Sequence, residues 1–173
     1  STTIAEFVLP RILGEFKVAH PQVHTHLTVG NSEMIEHRVA DHALDLGLIE
    51  SPSHLPGLTT EVCCEDELVL ICAPAHKFAR SGKVRPQLLA GEPYVNRELG
   101  SGTREYTDQY LRGCAVAPED LNVVMELGNT EAIKRMLESD SGVAVISRSA
   151  VEREIKAKSL AMARIKGLPM PRL

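Results

Sequence analysis

Residues 29–50, VGNSEMIEHRVADHALDLGLIE, decide how the rest of the chain is read. Gly30-Asn31-Ser32 is a turn whose last two side chains can accept from the first free N–H groups of a helix. Met34, Ile35 and Val39 then recur at helical spacing on one apolar face. Residues 44–49 form a short, mostly apolar run that reads as a strand. Ahead of the turn, Val23, Thr25, Leu27 and Val29 alternate with His24, His26 and Thr28, the period of a second strand. Strand, turn, helix and strand in this order are the unit of an α/β fold.

The same alternation extends in both directions. Residues 3–19 carry Ile4, Val8, Leu9, Ile12, Leu13 and Phe16 at helical spacing, with Thr3 and Glu6 placed as a capping box. Pro10 predicts a bend in that helix, and Pro21 closes it. Downstream, residues 58–62 and 68–73 read as strands, the latter apolar on both faces and so expected between two layers. A helical turn is expected at 87–90 and a short strand at Tyr94-Val95. Next comes RELGSGTREYTDQYL, residues 97–111, a loop feeding an amphipathic helix with Tyr106, Tyr110 and Leu111. Residues 122–127 form a strand that Gly128-Asn129-Thr130 ends, repeating the Gly30-Asn31-Ser32 arrangement ahead of a helix with Ile133, Met136 and Leu137. Residues 143–146 make a buried strand. Ser149 and Glu152 form a capping box for a helix over 150–158, and residues 160–165 are the last strand. The expected class is α/β with mostly parallel sheets and right-handed crossovers.

Composition excludes several functions. The chain has 173 residues, 19 basic against 23 acidic, with no run of one sign, which argues against a nucleic-acid or membrane surface of its own. Its longest apolar run is far short of the ~20 residues of a membrane span. Cys63, Cys64, Cys72 and Cys114 include no CxxC pair, and reduced thiols in a cytoplasmic protein are expected.

Polar helix starts carry the functional signal. Ser1-Thr2-Thr3, Asn31-Ser32, Ser101-Gly102-Thr103 and Asn129-Thr130 follow strand ends or lead helices, and strand carboxyl ends form the ligand crevice of an open α/β sheet. Free N–H groups and the helix dipole suit such a crevice to a carboxylate, sulfate or phosphate. Arg104, in the first turn after the glycines, could clamp the anion bidentately, whereas the alternative is a solvated arginine. Glu33 and Glu131, if they face the crevice, favour a ligand that also carries an amine or several hydroxyls.

Enzymatic readings find little support. Gly100-Ser101-Gly102-Thr103 lacks the P-loop lysine and the third glycine of a dinucleotide fingerprint. All seven histidines fall between His20 and His76 with no serine pairing pattern, so Ser101 is read as a cap or ligand contact rather than a nucleophile. His24 and His26 share one face of a strand but are too few ligands for a metal. No catalytic residue, metal or cofactor is expected.

STTIAEFVLPRILGEFKVAHPQV, VGNSEMIEHRVADHALDLGLIE, ELVLICAPAHKFA, RELGSGTREYTDQYL and ELGNTEAIKRMLESDSGVAVIS, in this order along the chain, resemble the effector-binding domain of LysR-type transcriptional regulators. The resemblance implies a type 2 periplasmic-binding-protein-like fold of two Rossmann-like lobes joined by two crossing strands. Lobe one would be residues 1–72 plus 147–173, and lobe two residues 73–146. It implies a bacterial, cytoplasmic transcription factor that binds a small-molecule effector between the lobes and forms a homodimer, or a tetramer at full length. Carried over by position, Thr2, Thr3, Asn31, Ser32, Ser101, Gly102, Thr103, Arg104, Asn129 and Thr130 match the family's cleft-lining loops. The family also has a strand directly ahead of the STTIA segment, a final strand and helix after the last matched stretch, and an N-terminal helix-turn-helix that contacts DNA. The chain therefore reads as part of a longer regulator, with no DNA binding expected from these residues alone. The alternative is a solute-binding protein of a transport system with the same fold.

Overall fold

The computed structural model describes residues 1–165 and 170–172. The polypeptide opens with a π-helical turn over Ile4–Val8 that runs into α1 (Leu9–Ala19), followed by α2 (Ser32–Ala40). The sheet then begins with β1 (Asp66–Cys72), α3 (Lys77–Ser81), β2 (Lys83–Val84), β3 (Pro93–Arg97), α4 (Gly102–Gly113) and β4 (Asn122–Leu127). It is completed by α5 (Thr130–Glu138), β5 (Val143–Ser147), α6 (Glu152–Ala157), β6 (Ala161–Ile165) and β7 (Met170–Arg172). The fold is α/β, as expected, but the sheet is mixed rather than mostly parallel. Its order is β2-β6-β1-β5-β3-β4, with β7 on β1. β1 runs antiparallel to β5, β6 and β7, whereas β2–β6, β3–β4 and β3–β5 are parallel.

β1 and β5 are the centre, in register from Leu68 opposite Ser147 to Cys72 opposite Val143. Because side chains alternate across a strand, β1 serves two cores at once. Leu68, Leu70 and Cys72 join Val143, Val145, Tyr94 and Leu111 on one face. Val69 and Ile71 join Ala144, Ile146, Val95, Ile133 and Leu137 on the other. This explains the unbroken apolar run of the sequence, which has no solvent-facing side. β6 sits between β1 and β2, so the return segment 147–173 supplies a strand to the sheet that also holds β3 and β4.

The structure differs from expectation at several local points. Thr3 lies in the α region (φ −58°, ψ −45°) and makes no capping bond, because the helical turn already begins at Thr2. Pro10 has no N–H to donate, and the chain meets that loss with the π turn directly ahead of it. Ser149 does not cap α6; its Oγ lies 2.7 Å from that of Ser147, which donates to Asp66 at 2.8 Å. The expected strands at 23–29, 44–49 and 58–62 join no ladder among the described residues. Alternation specifies which side of a strand is apolar, not which strand lies beside it, and here Leu46, Leu48, Leu58 and Val62 line a cavity of about 880 Å³ instead. Three elements escaped the periodicity argument by their shortness: α3, which His76 caps and Gly82 ends at φ +66°, β2, and β7, which follows the strand expected to be the last.

Candidate functional site at the helix starts

β3 and β4 run parallel, so their carboxyl ends lie side by side, and α4 and α5 start there. α2 brings its own start to the same place. Asn31 is its N-cap, with Oδ1 accepting from Met34 N at 2.9 Å while Nδ2 donates to the carbonyl of Leu99 at 3.1 Å. Glu33 N donates to Gly100 O at 3.3 Å, and Ser32 Oγ accepts from Glu50 N at 3.1 Å. Gly100 holds φ +80°, a left-handed conformation that a glycine adopts without strain. Gly102 presses on the backbone of Glu50 so closely that a Cβ would stand 2.7 Å from its carbonyl carbon and oxygen. Three short segments far apart in sequence therefore converge: 31–33, 50 and 99–102.

The expected site residues do not all stand alike. Thr2, Thr3, Ser32, Ser101, Thr103 and Thr130 are each less than 9% exposed. Ser101 is the N-cap of α4 by position, yet its side chain makes no capping bond, and its buried Oγ has no hydrogen-bond partner among the described residues. An orphaned buried hydroxyl costs ~1–3 kcal/mol, which a bound acceptor or donor would recover. Asn129 caps α5, accepting from Ala132 N at 2.9 Å, and is itself exposed.

Arg104 is committed through one terminal nitrogen, while its buried Nε has no hydrogen-bond partner among the described residues. Its NH1 donates to Arg97 O at 3.0 Å and to Glu126 at 2.5 Å, so the guanidinium braces the end of β3 against β4. Asp108 lies 3.9 Å from its Nε, and burial raises the Asp108 carboxyl pKa above its ordinary value despite that neighbour.

A buried cation stands at the end of β3, Arg97, which the sequence argument passed over. It is 4% exposed, and its Nε and NH2 bind the two oxygens of Glu98 at 2.8 and 3.0 Å. Its NH1 reaches Thr130 Oγ1 at 3.5 Å. Nearby, Lys134 is 3% exposed and donates to Ala150 O and Glu154, both at 2.8 Å, and pairs with Glu131. Its ammonium also lies 5.3 Å from the centre of the Phe7 ring. Glu6, on the first helical turn, feels Glu131, Lys134 and Arg97; burial first and Glu131 second raise its pKa. The signal that could have found Arg97 was its place as the last residue of a strand, where crevice residues of α/β sheets sit.

No group of three or more His, Cys, Asp or Glu side chains among the described residues could hold a metal ion. Among the described residues no cysteine is in a disulfide; Cys63 and Cys64 are exposed, and Cys72 is buried. No helix among the described residues is long and apolar enough to cross a membrane.

A mixed α/β sheet with several helix starts gathered at its strand ends, one orphaned hydroxyl and one buried guanidinium defines a small-molecule-binding domain of the periplasmic-binding-protein type. All of residues 1–173 match the LysR substrate binding domain, and the chain belongs to that family. It is similar to the HTH-type transcriptional regulator YeiE of Escherichia coli (strain K12), 38% identical over 173 residues that make up 100% of this chain and 57% of that protein. The chain thus spans little more than half the length of that relative. Among solved structures it is similar to the Synechocystis PCC6803 CcmR regulatory domain in complex with 2-PG. That match has a TM-score of 0.88 and 30% identity, covering 99% of this chain and 80% of the other. The effector binding domain of QuiR in complex with shikimate shares the fold, with a TM-score of 0.84 at 16% identity over 98% of this chain and 79% of that one.

Proposed function

We propose that this chain senses a small, anionic metabolite for a LysR-type transcriptional regulator, binding it where the starts of α2, α4 and α5 meet the first helical turn. The observation that carries this reading is the buried, partnerless Ser101 Oγ at the junction of 31–33 and 99–102, in the turn that follows the buried Arg97 at the end of β3. The ligand contacts are Thr2, Thr3, Asn31, Ser32, Ser101, Gly102, Thr103, Asn129 and Thr130, with Arg104 as a brace. The two lobes are 1–72 with 147–173, and 73–146, the latter's strands sharing one sheet with β1, β6 and β7. Ligand shifts the population between two relations of these lobes, and it does so only through its differential affinity for them.

The regulator acts in the cytoplasm as a homodimer or tetramer and reaches DNA through a domain outside these residues. The regulators among its relatives favour this over solute capture or catalysis. α1 supports a self-association face: it buries no residue, and Ile12, Phe16 and Val18 are 48%, 38% and 83% exposed. A thermal-shift screen of 2-PG, shikimate, phosphate, sulfate and small carboxylates tests the reading, because a ligand that binds the native state raises its stability by mass action. The expected result is a saturable rise with one anionic class that Ser101→Ala abolishes. A hit of equal strength in the Ser101→Ala protein would overturn this placement.

A further inference from the structure

The proposed site requires a positive charge, and the cation in its first-turn position, Arg104, is tied to Glu126 and to the carbonyl of Arg97. Arg104 keeps a buried Nε with no hydrogen-bond partner among the described residues, but its NH1 is fixed between two acceptors and its side chain is 21% exposed; Arg97 is the more deeply buried of the two and is also incompletely used. A guanidinium has five N–H donors. Nε and one N–H of NH2 go to Glu98, and one N–H of NH1 makes the long contact with Thr130. One N–H on each terminal nitrogen is left without an acceptor among the described residues. The residue is nonetheless 4% exposed, so water does not fill the shortfall freely.

Its carboxylate partner is the less anchored of the pair. The Glu98 side chain is 24% exposed, and among the described residues its two oxygens bind only Arg97. Residues 98–101 form a turn, with Ser101 N donating to Glu98 O at 3.3 Å, which carries the orphaned Ser101 hydroxyl back toward the same strand end. Thr130, 1% exposed, closes the other side.

We propose that Arg97 is the residue that selects the effector, and that Glu98 occupies it as an internal surrogate anion which the carboxylate, phosphate or sulfate group of the effector displaces. The inference rests on the effector-binding reading above. No bond is made or broken; one charge-assisted pair replaces another, with Glu98 turning out to water. Arg104 is a positioning residue in this scheme, holding the carbonyl of Arg97 so that its side chain leaves β3 at a fixed point. The selected ligand therefore presents two oxygens in one plane or face to the fork of a guanidinium, as a carboxylate, phosphate or sulfate does. A hydroxylated neutral compound gains nothing from Arg97 that would offset the loss of Glu98.

The test is calorimetric titration of the protein with inorganic phosphate, sulfate, oxalate, malonate and 2-PG, on wild type and on Arg97→Gln, Arg97→Lys, Glu98→Gln, Arg104→Gln and Ser101→Ala. For the anion that binds wild type, Arg97→Gln should weaken affinity about tenfold or more, as loss of a charged hydrogen bond does, with Arg97→Lys between the two. Glu98→Gln should tighten it severalfold by removing the internal competitor, and Arg104→Gln should change it less than Arg97→Gln does. If Ser101→Ala abolishes binding while a folded Arg97→Gln protein binds like wild type, the Arg97 assignment fails and the site stands. If none of these anions binds wild type, or binding ignores both Ser101 and Arg97, the site reading fails and takes this one with it. Should Arg97→Gln not fold, Glu98→Gln decides alone: tighter binding supports the exchange, and unchanged or weaker binding overturns it.

Discussion

Adding one methyl group at Gly102 tests the junction most directly. The Cβ of Gly102→Ala would stand 2.7 Å from both the carbonyl carbon and oxygen of Glu50, and 3.0 Å from its Cβ. These are mainly backbone atoms, and Glu50 N is itself held by Ser32 Oγ, so no side-chain rotation relieves the clash. Overpacking of this kind costs about 1–3 kcal/mol. Alanine returns up to ~1 kcal/mol of helix propensity, less at the first position of α4 than in its interior. The net expectation is a loss of about 1–2 kcal/mol, or a fall of roughly 2–8 °C in Tm for a chain of this size. Gly113→Ala, at the other end of the same helix and with no heavy atom within 4 Å of the added carbon, is the internal control and should be neutral or slightly stabilising. Urea denaturation of the three proteins measures the differences. If Gly102→Ala is as stable as wild type, α4 and residue 50 are not in contact, and the convergence of helix starts is wrong.

Two further outcomes follow from buried charge and buried sulfur. Lys134→Ala strands Glu154 and the carbonyl of Ala150 and should cost about 3–5 kcal/mol, the range for breaking one side of a buried pair. Glu154→Gln in the same chain should return part of that loss, and strictly additive losses in urea would contradict the pairing. Burial pushes the Cys72 thiol up to about 11, so it stays protonated near pH 8, whereas Cys63 and Cys64 are exposed. A disulfide reagent should therefore label Cys63 and Cys64 in the native protein and Cys72 only after unfolding. Native-state labelling of Cys72 at the same rate would show that β1 is open to solvent.

What the sequence made legible was what local signals determine. Asn31 and Asn129 announce their helices because a cap and the N–H it serves are three residues apart, and α2 and α5 start where those side chains say. β1 and β5 declare their burial by having no polar face. Segments 23–29, 44–49 and 58–62 show equally clear patterns yet pair with nothing described, since a ladder depends on a neighbour that the pattern does not name. The site was half legible for a similar reason. Ser101 and Thr130 follow from the position of helix starts, whereas the fate of Arg104 was decided by Glu126, 22 residues further on. Arg97 was missed because arginines are mostly exposed, and only the tertiary structure shows this one buried beside its own acid.

The central strand also sets how change can accumulate in this domain. Leu70 and Ile71 are adjacent in the chain, but they face opposite cores, while Leu70 and Val145, 75 positions apart, stand opposite each other in the ladder and share one core. Energetic coupling follows shared contacts rather than sequence distance. Substitutions at Leu70 and Ile71 should thus combine independently, and a change at Leu70 should be compensated at Val145. The face beneath α4 and the face beneath α5 can therefore drift along separate evolutionary routes although a single strand carries both.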